Sequence, residues 1–396
     1  MPFVLCGDGM LIGQPVTVVG GGIGGLATAL ALAQRGASVS LLEQAPAISE
    51  VGAGLQISPN GWRVLEALGL SVTLAATSPR SQAVHLRDFR RGAGVFSLPL
   101  TRPDEPWYLV HRADLVAALA QGAVAAGVTL RLGVRVAAVE PGPMETLLRL
   151  ADGQVETHGL TIAADGLHSP ARAVLNPKSR PFFTGQVAWR CTVRVPSALP
   201  PDAHVFMGPG RHLVRYPLRD GRLVNIVAVE ERDAWAAEGW HHRDDPAHLA
   251  RAFTDFCPEV RALLERAEEV HLWGLFRHPV APVWHEHHLA LLGDAAHPTL
   301  PFLAQGANMA LEDAYVLARC LAEDPDPQAA FARYAGLRRP RTARIVQAAT
   351  DNATHYHLRP GPMRFAAHGA LRLANRYAPH LVRAKFDWVY RHDVTA

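Results

Sequence analysis

Residues 16–44 read VTVVGGGIGGLATALALAQRGASVSLLEQ. The first four, mostly β-branched, predict a strand running into Gly20, Gly21 and Gly22. Ile23, Gly24 and Gly25 open an Ala- and Leu-rich helix that ends at Gly36, and a second strand over 38–42 delivers Glu43 and Gln44. In such a strand–turn–helix unit, Gly20 permits the tight turn and Gly22 lets backbone N–H groups approach a pyrophosphate. Gly25 lets the helix pack closely on the strand. The helix N-terminus offers unpaired donors and a partial positive charge to the phosphates. Glu43 lies eighteen residues past Gly25, where a carboxylate accepts hydrogen bonds from an adenosine ribose. The stretch therefore predicts a dinucleotide site.

The bulk properties set the frame around it. A chain of 396 residues has room for about two domains and a large core. A net charge of +3 gives no ground for nucleic acid or an anionic membrane as partner. Cys6, Cys191, Cys257 and Cys320 stand far apart with no CxxC, which predicts free thiols in a reducing, cytoplasmic setting. No charge occurs between Asp8 and Arg35, but glycines interrupt that run and no basic flank precedes it. No membrane span is expected.

Along the chain, residues 1–13 form a loosely held leader, and the glycines in 50–60 (EVGAGLQISPN) bring backbone close to something flat or bulky. Asn60 is the expected cap of a helix over 61–68. Residues 81–98 predict a hairpin, and 187–195, 204–207, 212–217 and 223–229 predict successive antiparallel strands. A buried strand over 288–294 precedes a long helix that starts near Gln305. The tail from Pro327 is helical, with Pro340 expected to break or kink it.

Three separated segments share one design: an apolar strand, a small residue with a carboxylate or glycine turn, then a helix. They are 20–25, Ala164-Asp165-Gly166, and Gly293-Asp294-Ala295-Ala296-His297-Pro298. Ligands of α/β sheets gather at the carboxyl ends of strands, and three such ends suit one long flavin dinucleotide. No second GxGxxG with a trailing acid exists, so a nicotinamide cofactor has no dedicated domain.

These motifs, continuing through Ala304-Gln305-Gly306-Ala307 to Glu312-Asp313-Ala314, resemble the single-component FAD-dependent aromatic hydroxylases. EVGAGLQISPN, LVHRADL, VAWR and HLVRYPLRDG are similar to salicylate hydroxylases and 3-hydroxybenzoate 6-hydroxylases. The resemblance implies tightly bound, non-covalent FAD. It also implies NAD(P)H as transient co-substrate, and hydroxylation of a phenolic ring by dioxygen through a flavin C4a-hydroperoxide. Asp294 matches an acid that holds the ribityl chain, and Arg112 an arginine that reaches FAD. Gly306, Ala307 and Asn308 match the helix start that faces the flavin pyrimidine edge, Gly54 a cofactor contact, and Asp165 an acid that helps hold FAD and NAD(P)H. A homodimer is what relatives suggest.

His212 and Tyr216 match the substrate-pocket pair of the 3-hydroxybenzoate enzymes. Four apart on a strand, they share one face. An unperturbed imidazole titrates near ~6.5, so His212 suits taking a phenol proton. Arg190 is the arginine placed to meet a substrate carboxylate, because Arg211 and Arg215 face away from His212. Pro301 stands where the 3-hydroxybenzoate enzymes tend to carry a glutamine. It offers a carbonyl but no donor, which argues against that particular substrate. HEHH at 285–288 lacks the HExxH helix register, so no metal site is expected. Two alternatives stand beside this reading: a hydroxylase of larger apolar aromatics such as quinone precursors or polyketides, or a flavin-binding protein without monooxygenase activity.

The expected fold class is α/β. A Rossmann-like FAD-binding domain is assembled from 14–80, 101–178 and 271–330, and an antiparallel-sheet substrate domain from 81–100 and 179–270. Residues 331–396 form a helical C-terminal region.

Overall fold

The computed structural model describes residues 11–48, 54–232 and 242–396. Most of the expected leader, and residues 50–53 of the glycine-bearing segment, lie outside that range. Six strands make the first sheet, in the order His285–Glu286, Leu289–Leu291, Leu160–Ala163, Pro15–Val19, Ser38–Glu43, Thr129–Leu132. All but the first pair run parallel. Parallel strands are covered on both faces, hence their unbroken apolar sequence. Val19 pairs with Ala163 and Ala163 with Leu291, so three neighbouring strands end level.

Helix Ile23–Ala33 follows the first strand and is buried on nearly every side, lying between helices Gly306–Glu323 and Arg112–Ala125. Its alanines suit that position, because they let three helices approach without side-chain entropy to lose.

Eight strands make the second sheet, in the order Arg243–Asp244, Val270–Arg277, Phe182–Arg194, Leu223–Glu231, Arg211–Leu218, Ala203–Gly208, Ala83–Asp88, Gly94–Pro99. Two expectations need correction. Strand Val270–Arg277 pairs with Phe182–Arg194, so this sheet runs past the boundary expected at 270. The sheet is also mixed, since Ala203–Gly208 runs parallel to Ala83–Asp88. One face packs Trp189, Phe206 and Leu213 on Leu249, Phe253 and Val260 of a helical cover. The other presents Ala188, Val227, Val229 and Trp273 to Leu300 and Phe302, just beyond the Asp294 strand tip.

The tail begins with one helix, Pro327–Tyr356, that carries Pro340 inside it. The break expected there does not occur. A proline costs one backbone bond, here to the carbonyl of Gly336. Arg338 and Arg341 on either side are tied into buried ion pairs that hold the helix on course.

Candidate active site

The first strand tip is built from glycines with different duties. Gly20 has φ +104°, and a Cβ there would lie 2.4 Å from the Ala164 carbonyl oxygen. A Cβ on Gly25 would lie 1.8 Å from the Gly20 oxygen, so helix and turn touch only because both residues are bare. Gly24 abuts Leu292, and Ile23 is buried as the first residue of the helix. Among the described residues, a Cβ at Gly22 would meet nothing within 4 Å. No side chain caps this helix. Its first-turn donors and positive end therefore open towards an anion. Glu43 accepts from the backbone N–H of Gly21 at 2.5 Å and of Ala45 at 2.8 Å, beside the turn, with Gln44 exposed next to it.

Asp165 follows the adjacent strand. Both its carboxylate oxygens are buried, and among the described residues no donor reaches them with full hydrogen-bond geometry. Burial pushes its carboxyl up to about 6, against partial opposition from the Ser169 hydroxyl and nearby backbone. Asp294 follows the third strand. It keeps an exposed face yet is ringed by protein, and that desolvation raises its carboxyl while His297 and Arg112 pull it down. Arg112 opens helix Arg112–Ala125 and is half-buried. Helix Gly306–Glu323 starts without a side-chain cap, with Gly306 and Ala307 half-buried. An orphaned buried carboxylate, an open glycine turn and two uncapped helix starts on one sheet edge fit the hydroxyls, phosphates and ring edge of FAD. The donors at Gly22, Gly306 and Ala307, with Glu43, Asp165, Asp294 and Arg112, are the groups that would hold it.

Two expected cofactor contacts also have protein partners. Asn308 spends its side chain on protein: Nδ2 donates to the Ala304 and Gln56 carbonyls, and Oδ1 accepts from the Ser58 N–H. These bonds fix its side chain between the helix start and the Gln56 strand. Gly54 donates its N–H to Asn225 Oδ1 at 2.6 Å, and a Cβ on it would stand 2.5 Å from the Tyr216 ring. It seats the Tyr216 ring beside Asn225.

Beneath the Asp294 loop lies a charge network that the sequence did not announce. Arg338, buried, donates Nη1 to Glu312 at 2.5 Å and Nε to Asp313 at 2.6 Å. Arg341 and Asn60 also reach Glu312. Asp313 accepts from the Gly293 N–H and bonds His297. Arg172 donates to the carbonyls of Ala295 and Ala296. Asn60 thus serves the network, and the helix Pro59–Ala67 has Ser58 as its N-cap residue, which corrects the expected cap. The Arg338 to Arg341 run showed only as basic residues in sequence, with nothing to say which were buried.

The second sheet supplies the facing wall. His212 and Tyr216 lie on one face of strand Arg211–Leu218, both buried. Arg211 and Arg215 point to the other side, held by Asp255 and Glu259. Arg190 joins the His212 face: its guanidinium stacks on Trp273 at 5.0 Å and acts electrostatically on Tyr216. Burial raises the Tyr216 hydroxyl, keeping it a donor, and lowers the His212 imidazole well below its ordinary value. Pro301 begins the turn Pro301–Leu303, whose Phe302 ring packs 5.2 Å from His212. His357 and Glu231 complete this wall: His212 Nδ1 lies 2.7 Å from His357 Nε2, and His357 Nδ1 lies 2.8 Å from Glu231 Oε1. Sequence spacing carried no trace of either, because they come from the end of one helix and the end of one strand.

Outside this site, His85, Asp202 and His204 form a group with metal-ligand chemistry. Arg87 Nη1 lies 3.3 Å from His204 Nδ1, and Arg215 also acts on that ring, so two guanidiniums oppose a cation there. Among the described residues no helix is long and apolar enough to cross a membrane.

Comparison with known proteins bears on the same residues. The family described as FAD binding domain matches residues 14–349. A 3-amino-4-hydroxybenzoate 2-monooxygenase of Streptomyces cremeus is 40% identical over 88% of this chain and 89% of its own. A 3-hydroxybenzoate 6-hydroxylase of Polaromonas naphthalenivorans is 34% identical over 87% and 88%. The crystal structure of Klebsiella pneumoniae HpxO with FAD and uric acid superposes with a TM-score of 0.82 at 26% identity, over 95% of this chain and 96% of that one. The chain belongs to the FAD-binding family of flavoprotein monooxygenases that hydroxylate aromatic rings.

Proposed function

We propose that this enzyme hydroxylates a monocyclic phenolic carboxylate, of the hydroxybenzoate or aminohydroxybenzoate class, using NAD(P)H and dioxygen. The observation that supports the reading is the shared face of His212, Tyr216 and Arg190, onto which the turn that follows the Asp294 strand tip packs through Phe302. Bound FAD would take the two electrons from NAD(P)H and pass them to dioxygen, activating it. The chain's own residues do the rest.

Arg190 pairs the substrate carboxylate, most strongly if both guanidinium donors engage. Tyr216, protonated across the working range, donates to a ring oxygen. His212 is held neutral by burial and takes the phenolic proton, making the ring a better nucleophile. Phe302, Trp273 and the aliphatic wall keep water from the reacting carbon. Asp165 would help hold FAD and the arriving NAD(P)H. A division into an FAD-binding domain, a substrate domain entered at residues 81 and 179, and a helical region from 331 is part of the same proposal, as are a homodimer and a cytoplasmic location.

The test is oxidation of NADH and NADPH by the FAD-loaded enzyme against salicylate, 3-hydroxybenzoate, 3-amino-4-hydroxybenzoate and larger apolar phenols. Product mass is read under labelled dioxygen. Incorporation into a monocyclic acid supports the reading. Turnover confined to the apolar phenols, or NAD(P)H use without oxygen incorporation, overturns it. His212→Ala should slow hydroxylation by roughly 100-fold or more while FAD content stays at the wild-type level. Equal loss of both would remove His212 from the proton step.

A further inference from the structure

The three side chains behind His212 have a direction. A carboxylate only accepts, so Glu231 requires the proton of neutral His357 to sit on Nδ1. His357 Nε2 is then bare and accepts, which requires the His212 proton on its own Nδ1. His212 Nε2, on the other side of the ring, is left as an acceptor. Exposure rises along the same line: His212 is 1% exposed, and the side chains of His357 and Glu231 are 2% and 44% exposed. The chain therefore joins a buried imidazole to solvent.

We propose that His357 and Glu231 are positioning residues that fix the His212 tautomer and carry the substrate's phenolic proton to bulk water. The proposal rests on the reading of His212 as the group that meets the ring hydroxyl. The phenol O–H proton passes to His212 Nε2 as the Nδ1 proton passes to His357 Nε2. The His357 Nδ1 proton passes to Glu231 and from there to water. The products are a bound phenolate and a hydrated proton, and no electron moves. Phe302 and Tyr356 pack on the His212 ring. The adjoining guanidiniums of Arg211 and Arg232 are held by Asp255 and Glu230. Among the described residues Glu231 is thus the acid in contact with this pair of imidazoles.

The experiment compares FAD-loaded wild type with E231L, E231D and H357Q. Nitrogen NMR of labelled histidine reads the ring tautomers without substrate. His212 is expected as the Nδ1–H form in wild type and E231D, and shifted towards the Nε2–H form in E231L. Stopped-flow mixing with 3-amino-4-hydroxybenzoate in weak buffer with an indicator dye reads proton release. E231L and H357Q should release it at least tenfold more slowly at unchanged FAD content, with E231D within about threefold of wild type. Unchanged tautomers in E231L together with wild-type release rates overturn the proposal. If wild type takes up neither this probe nor salicylate nor 3-hydroxybenzoate, the substrate reading fails by itself. The tautomer populations then decide the relay: a shift in E231L supports it and none overturns it.

Discussion

Asp165 carries a cost that a ligand would relieve. Its oxygens are buried without a full donor, and its carboxyl sits at about 6 against an ordinary 3.8. A group whose folded value is raised favours folding below its unfolded value and loses that contribution as pH rises through the folded one. The FAD-free protein is therefore penalised at Asp165 above about pH 6. Asp165→Asn removes the charge and keeps the shape. Stripped of FAD, the variant should be more stable than wild type at pH 8, by up to roughly 3 kcal/mol, and equal to it near pH 3.5. Its FAD should dissociate faster. Denaturant titrations at the two pH values check the first part, and flavin fluorescence on dilution the second. Equal stability at pH 8 would mean that water already satisfies this carboxylate.

At the scale of elements, the two glycines of the first turn separate folding from binding. Gly25→Ala forces a methyl into the Gly20 carbonyl, so helix Ile23–Ala33 must shift. It should cost at least ~1–3 kcal/mol and lose FAD as well. Gly22→Ala meets no atom of the described residues. Its melting without FAD should match wild type while its FAD affinity falls; unchanged affinity would place the phosphates elsewhere. These duties were legible in the sequence because a turn and its helix are local, and the same holds for the shared face of His212 and Tyr216, which follows from strand alternation. What the sequence withheld is long-range. Asn60 looks like a cap until Glu312, 252 residues away, is seen to claim it. Pro340 looks like a break until Arg338 and Arg341 are seen on either side of it. His357 lies 145 residues from His212, with no periodicity to connect them.

Taken whole, the molecule ties its tail to its flavin loop. Helix Pro327–Tyr356 contributes Arg338 to a carboxylate pair on helix Gly306–Glu323, and that pair holds Gly293 and His297 at the Asp294 tip. Burial alone would raise the Glu312 carboxyl, but Arg338 and Arg341 overcome it and hold it at about 2; Asp313 is likewise held low by His297 and Arg338 against its burial. Depressed carboxyls stabilise the fold above their unfolded values and lose that contribution as pH falls through the folded ones, here from about 4.5 towards 2. Arg338→Ala should cost about 3–5 kcal/mol at pH 7, because it strips a buried carboxylate pair of its shared cation. The deficit should shrink near pH 4, where the variant's carboxyls take up protons that those of the wild type still refuse. Loss of FAD should accompany it, since the Asp294 loop hangs from Asp313. Urea titrations at pH 7 and pH 4 with flavin content measured in parallel test this. A deficit equal at both pH values would make Arg338 a packing residue, and full flavin content would uncouple the tail from the loop.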